Sequence, residues 1–340
     1  MRILYLPDEY SQQRQQEKPA NIYPVRMAME AEWYRQQGHD VHWGVKISCQ
    51  HDWHLLTDID QKKFWWCEKC KKQTDRIISE PENLPFLSLP KPDRVFTNAK
   101  SYTSGNYKYL PGTHMQVADG CWWGKCEFCV EKDKKYCVRT IDSVIEEIEE
   151  CKRLGFKEIF DDSGTFPVGV WLDKFCQRMK GNKTPLGCNM RVANIDYGAM
   201  KEAGFRMLLF GIESANSYTL NKINKGITRP DIKKYIKQAS DAGLEPHICA
   251  MFGYPWEDDE NAENTLDLVH WLLKKGYAKT AQASFYTVPS MLPNFKHKKY
   301  IPLIYDVAYS PEFWFNQLRD IKDLDDIKYL LRKIKVGLRK

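Results

Sequence analysis

Cys121, Cys126 and Cys129 stand in the run Gly120-Cys-Trp-Trp-Gly-Lys-Cys-Glu-Phe-Cys129, three thiols within nine residues. Thiolates so spaced can hold three corners of an iron–sulfur cube and leave the fourth iron open to another ligand. An open iron is a reactive site, whereas a fully ligated cluster mainly carries electrons. The same thiols also suit a zinc knuckle, with Cys137 as fourth ligand in a C-x4-C-x2-C-x7-C pattern. On spacing alone the two readings stand level. The trio falls between a strand expected at 114–118 and a helix expected at 141–154, so it lies on a strand-to-helix loop.

A second island of soft ligands precedes it: Cys49, His51 and His54, then Cys67 and Cys70. Cys49, His51, Cys67 and Cys70 supply a tetrahedral set on two turns, as a structural zinc site needs. His54 could replace His51. Trp53, Trp65 and Trp66 would cover a module too small for its own core. A redox dithiol at Cys67 and Cys70 is the rival, but it leaves Cys49 and His51 without a role.

Composition sets the frame. The chain has 340 residues, 43% hydrophobic and 28% charged, which suits a large globular core with an accessory module. No apolar run approaches the roughly 20 residues of a membrane span. Met1–Pro7 lacks the pattern of a signal peptide and reads as a first strand, so the expected location is cytoplasmic. Eleven cysteines in such a chain point to metal rather than disulfides. A net charge of +6 permits a nucleic-acid partner without arguing for one.

The elements that must position these residues follow from periodicity. Residues 1–47 read as a β-α-β unit, 48–75 as the zinc module, and 76–112 as a linker rich in proline (Pro81, Pro85, Pro90, Pro92). Over 113–290, strands at 114–118, 158–160, 186–190, 207–212, 246–252 and 282–288 alternate with helices at 141–154, 171–180, 197–203, 230–242 and 262–275. That alternation gives an α/β fold, an open (β/α)6 partial TIM barrel, with the zinc-ribbon-like module inserted before it. Residues 291–340 form a helical extension with a basic end.

Ligands of parallel α/β folds bind at the carboxyl ends of the strands. Successive strands exit here into the cysteine trio, Asp161-Asp162-Ser163-Gly164-Thr165, Arg191, Gly211-Ile-Glu213-Ser214 and Gly253-Tyr254-Pro255-Trp256-Glu257. Each exit alone could be a cap or a turn. A zinc knuckle needs no such rim.

With these motifs in order, the chain resembles the radical S-adenosylmethionine (radical SAM) enzymes, in particular the core of the group whose barrel often follows a cobalamin-binding domain. The pieces that carry the likeness are Leu89-Pro-Lys-Pro-Asp-Arg94, the cysteine loop, Phe160-Asp-Asp-Ser163, Arg191, Ala203-Gly-Phe205, Gly211-Ile-Glu-Ser214 and Phe252-Gly-Tyr-Pro255. The resemblance implies a [4Fe–4S] cluster on Cys121, Cys126 and Cys129, with S-adenosylmethionine bound to the open iron. Reductive cleavage would give methionine and a 5′-deoxyadenosyl radical that abstracts hydrogen from an organic substrate, and an electron donor would serve the cluster. It further implies that Asp161, Asp162 and Ser163 hold the cofactor's amino group, Arg191 its carboxylate and Glu213 its ribose. Gly253 would admit the adenine, and Phe128 would pack beside cluster or adenine.

The sequence departs from the family pattern in places. The usual C-x3-C-x2-C is one residue longer here, and Gly124 could absorb the difference. Trp256 replaces a glycine common before Glu257, and the last strand lacks a Pro-Gly-Thr exit. No Asp-x-His-x-x-Gly signature is present, so no cobalamin is expected. Two other functions compete: a non-catalytic zinc or iron–sulfur protein whose zinc module binds nucleic acid or a partner, and a cobalamin-independent methyltransferase or methylthiotransferase. The latter normally brings a second cluster domain and an RNA-binding barrel. Cys151, Cys176, Cys188 and Cys249 read as small buried hydrophobes. The substrate, small molecule or peptide, carries no motif, and no catalytic residue is assigned.

Overall fold

The computed structural model describes residues 2–5, 25–43, 53–57, 63–67, 72–74, 76–78, 82, 84–102, 107–287 and 294–337. At the N-terminus β1 (Arg2–Tyr5), α1 (Val25–Gln36) and β2 (Asp40–Trp43) form a parallel β-α-β unit. Next come β3 (Trp53–Thr57), β4 (Lys63–Cys67) and β5 (Lys72–Thr74), an antiparallel three-stranded sheet. β6 (Arg76–Ile78) returns to pair with β1. Of the four expected zinc ligands, Cys49, His51 and Cys70 lie outside the described residues, and Cys67 is the last residue of β4.

The core begins with β7 (Gly112–Met115), followed by the short strands β8 (Ala118–Asp119) and β9 (Cys137–Val138). Then α2 (Ile141–Arg153), β10 (Glu158–Asp161), α3 (Val170–Met179), β11 (Leu186–Met190), α4 (Tyr197–Glu202) and β12 (Phe205–Glu213) alternate. After β12 come α5 (Ser217–Lys222), α6 (Arg229–Asp241), β13 (Glu245–Phe252), α7 (Asp259–Lys274) and β14 (Thr280–Phe285). Strands β7, β10, β11, β12, β13 and β14 lie side by side in chain order, all parallel. This is the open six-stranded α/β half-barrel expected from the alternation.

Local chemistry explains the boundaries. Thr140 accepts a hydrogen bond from the Ser143 amide to cap α2, and Thr228 with Asp231 closes a capping box on α6. Asp258 caps α7 through the Asn261 amide. On α2, Val144, Glu147, Ile148 and Cys151 recur at helical spacing and are buried. Ile159, Leu186, Leu208, Ile248 and Phe252 join them in one core between sheet and helices.

The two ends of the barrel differ. At the amino-terminal end, buried Arg206 bonds Glu158 (2.5 Å) and Glu245 (2.6 Å), the first residues of β10 and β13. The last helix, α10 (Leu324–Gly337), covers this floor: Asp326 pairs with Lys108, and Arg332 donates to the carbonyls of Tyr107 (3.1 Å) and Lys108 (2.8 Å). The floor is therefore closed by ion pairs, and chemistry is left to the opposite rim. Between β14 and α10 the extension folds into α8 (Tyr300–Leu303) and α9 (Pro311–Arg319). Among the described residues, no helix is long and apolar enough to cross a membrane.

Candidate functional site

The first strand was expected to continue to residue 118, but β7 stops at Met115 because the next residues are drawn into another set of bonds. The Val117 amide donates to Asp161 Oδ1 (2.8 Å) and Ser163 Oγ (3.1 Å), and the Ala118 amide donates to Ser163 Oγ (2.8 Å). From the other side, the Arg139 amide donates to the Val117 carbonyl (3.0 Å) and its guanidinium to the Gln116 carbonyl (3.1 Å). Arg139 and Arg94 both pair with Glu147, which is fully buried on α2. β8 and β9 then pair antiparallel, Asp119 opposite Cys137, and close the neck of a loop spanning 120–136. Cys137 thus belongs to the neck.

Within the loop all three cysteines are half-buried free thiols. The Cys129 amide donates to the Cys126 carbonyl (3.1 Å), and the Glu131 amide donates to Cys129 Sγ (3.4 Å). Burial pushes the Cys126 thiol pKa up, while the charges of Lys225 and Arg191 oppose that shift. Burial also raises Cys129, against the Glu131 amide. Gly124 (φ +58°) supplies the left-handed turn in the longer first half of the loop.

The remaining rim residues converge from β11, β12 and β13. Arg191, one residue beyond β11, is buried and donates to the Lys225 carbonyl. Glu213 ends β12 with φ +62° where the pairing with β13 slips, and its carboxylate bonds Lys225 Nζ at 2.8 Å. The same ammonium lies 6.0 Å from the centre of the Phe128 ring. Phe128, Met251 and Trp256 pack against a buried cluster of Ile223, Tyr254 and Tyr286. The Gly253 amide donates to Glu257 Oε2 (2.7 Å), and Glu257 holds His297 Nδ1 at 2.9 Å. Asp162 continues the sheet instead, its amide donating to the Met115 carbonyl (2.9 Å).

Residues 115–269, from the end of β7 through most of α7, match the radical SAM superfamily profile. This stretch of the chain is a radical SAM domain. Among curated proteins the chain is similar to one from Methanocaldococcus jannaschii with a provisional methylthiotransferase name, 28% identical over 216 residues, covering 58% of this chain and 47% of that protein. An uncharacterized methyltransferase of Pyrococcus horikoshii is 27% identical over 210 residues, covering 57% and 44%. The chain spans about half the length of the curated relatives it matches. Among solved structures, the radical S-adenosylmethionine methyltransferase TsrM from Kitasatospora setae superimposes with a TM-score of 0.46 at 18% identity, covering 54% of this chain and 38% of that one.

The side chains suit the cluster and cofactor that the radical SAM family implies. Three thiols share one loop, a backbone amide is directed at Cys129, and two cations sit beside Cys126. Among the described residues, no three His, Cys, Asp or Glu side chains are gathered tightly enough to chelate one ion. A cube asks for less convergence, since each thiolate takes its own iron. Around the loop, Trp122 Nε1, the Tyr136 hydroxyl, Asp161 Oδ2, Thr165 Oγ1, the Tyr254 hydroxyl and Glu257 Oε1 are buried without hydrogen-bond partners. Buried polar atoms are rarely left so, and this many at one rim fit a polar ligand.

Lys225 escaped the sequence reading. It follows α5, a helix of six residues that the periodicity did not reveal, and the signal lay in Asn216, which caps that helix, and in Asn224-Lys-Gly226 at its exit.

Asp161 gives a test by pH. Full burial raises its pKa to about 7, despite the bonds from Ser163 and Val117. Its contribution to stability is therefore complete below the unfolded value near 4 and is lost as pH rises through about 7. In cluster-free protein, Asp161→Asn should flatten that decline, worth on the order of 4 kcal/mol at 1.36 kcal/mol per pKa unit. Urea unfolding between pH 4 and 8 reads it. A wild-type curve with no fall across this window contradicts the assignment.

Proposed function

We propose that this chain binds a [4Fe–4S] cluster through Cys121, Cys126 and Cys129, and S-adenosylmethionine at the open iron. With these it starts radical chemistry on an organic substrate. The observation that carries the reading is the joining of the thiol loop to a rim of buried, unpartnered polar atoms. When bound and reduced, cluster and cofactor supply a 5′-deoxyadenosyl radical. The protein's part is to orient and to shield. Asp161 Oδ2 and Thr165 Oγ1, beside Asp162 and Ser163, face the amino end of the cofactor, Arg191 its carboxylate, and Glu213 its ribose. Tyr254, stacked on Trp256 with ring centres 5.5 Å apart, closes the nucleoside side together with Phe128. Gly253 lets the backbone approach the adenine. The reading includes structural zinc on Cys49, His51, Cys67 and Cys70, and assigns no step to cobalamin.

The electron paramagnetic resonance spectrum of the reduced, reconstituted protein tests this. Adding S-adenosylmethionine should shift the signal if the cofactor meets the open iron, and Cys126→Ala should lose the signal. A [4Fe–4S] spectrum indifferent to the cofactor overturns the proposal.

The names of the relatives support a second reading, transfer of a methyl or methylthio group. Methyl-labelled S-adenosylmethionine separates the two: label retained in methionine favours radical initiation alone, and label in a third molecule favours transfer.

A further inference from the structure

The extra residue between Cys121 and Cys126 has a structural use. The longer loop carries Trp123 onto Arg191, with the guanidinium carbon 4.0 Å from the centre of a Trp123 ring. The Trp123 indole N–H donates to the Asn224 carbonyl at 2.8 Å. Residues 223–226 close the other side. The Glu127 amide donates to the Ile223 carbonyl (3.1 Å), Asn224 Nδ2 donates to Glu127 Oε1 (2.7 Å), and the Lys225 carbonyl accepts from Arg191. Gly226 is needed twice over: its φ is +62°, and a Cβ there would overlap the Trp123 ring and crowd Arg191 Nη2 at 3.1 Å. Stack, carbonyl and turn together fix the guanidinium in one place against the cysteine loop, where its carbon also lies 5.7 Å from the centre of a Trp122 ring and its charge opposes the upward shift that burial imposes on the Cys126 thiol.

We infer that Trp123 and residues 223–226 form a clamp that holds Arg191 against the cysteine loop, and that Arg191 thereby sets the cluster's reduction potential. The inference rests on the cluster assignment of the proposed function. A cluster on three thiolates gains a further negative charge on reduction. A fixed cation beside the loop that carries the thiolates favours that reduced state, since nearby charge is one of the protein's levers on potential. An arginine fork stacked on an indole is well suited to the task, because the stack costs it none of its in-plane donors. On this view Trp123 is a positioning residue that acts through Arg191, and the longer loop is the means of aiming the guanidinium.

The test is a redox titration of the reconstituted full chain without S-adenosylmethionine, followed by the spectrum of the reduced cluster. Arg191→Gln and Trp123→Ala should each lower the ratio of reduced to oxidised cluster at a fixed potential about tenfold, equivalent to 59 mV for one electron. Arg191→Lys, which keeps the charge and loses the fork, should fall between. Trp123→Phe, which keeps a smaller aromatic face and removes the indole N–H with the second ring, gives the milder variant should the larger changes prevent cluster loading. Its ratio should fall less than that of Trp123→Ala but measurably. Variants that hold an intact cluster at the wild-type potential overturn the clamp and leave the proposed function standing. A wild-type chain that forms no [4Fe–4S] cluster overturns the proposed function itself.

Discussion

Gly253→Ala is expected to destabilise the fold by about 2–5 kcal/mol and to abolish binding of S-adenosylmethionine. The estimate joins about 1–2 kcal/mol for a left-handed backbone on an L-residue to about 1–3 kcal/mol for overpacking. Gly253 has φ +91°, and a Cβ there would overlap the Phe285 ring at the end of β14. Its amide also donates to Glu257, and its carbonyl accepts from the Asn294 amide at 2.8 Å. A shift at this residue therefore moves the exits of both β13 and β14 beside the Tyr254 hydroxyl. Gly181→Ala is the control: φ is +83°, but a Cβ would meet nothing within 4 Å. Chemical denaturation of both variants, with cofactor binding by calorimetry, reads the difference. Equal stability loss and unchanged binding in Gly253→Ala would contradict the placement.

Lys225→Met is expected to cost about 3–5 kcal/mol, the usual effect of removing one partner of a buried ion pair. Lys225 and Glu213 are each only 8% exposed, and the ammonium is 2.8 Å from the carboxylate. Gly211 makes the pair possible, because a Cβ there would overlap Glu213 Oε1 and approach Lys225 Nζ at 3.1 Å. Methionine keeps the length of the stem and removes the charge, which strands Glu213 in a backbone conformation that is already strained. The double variant Lys225→Met/Glu213→Gln should regain most of the loss, with a coupling above about 1 kcal/mol. Losses that simply add would show that the two groups do not act as a pair. The change also removes a cation beside Cys126, so cluster loading should fall in the single variant.

Much of this arrangement was legible because parallel strands and capped helices leave local signals. Residues 205–213 are a nearly continuous apolar run, as a strand covered on both faces must be, and Thr140, Thr228 and Asp258 mark helix starts. The rim was legible for a topological reason, since every strand of such a sheet delivers its exit to the same end. Pairings that depend on distant segments were not. Asp161 and Ser163 were expected to face a ligand; Asp161 Oδ1 and Ser163 Oγ hold the Val117 and Ala118 amides that lead into the thiol loop, which leaves Asp161 Oδ2 as the atom without a partner. Arg191 was expected at a cofactor carboxylate, and its stacking partner Trp123 comes from a loop far away in sequence. Glu213 meets Lys225 only because the unforeseen α5 ends at Lys222 and Asn224, with φ +52°, turns the chain back.

The central claim is that these thiols and this rim make a radical initiator. The most direct measurement is 5′-deoxyadenosine formation from S-adenosylmethionine by anaerobically reconstituted, reduced protein, with Cys126→Ala as control. Product from the wild type and none from the variant is the expected result. A wild-type protein that binds zinc at Cys121, Cys126 and Cys129, forms no iron–sulfur cluster and releases no 5′-deoxyadenosine would contradict the account.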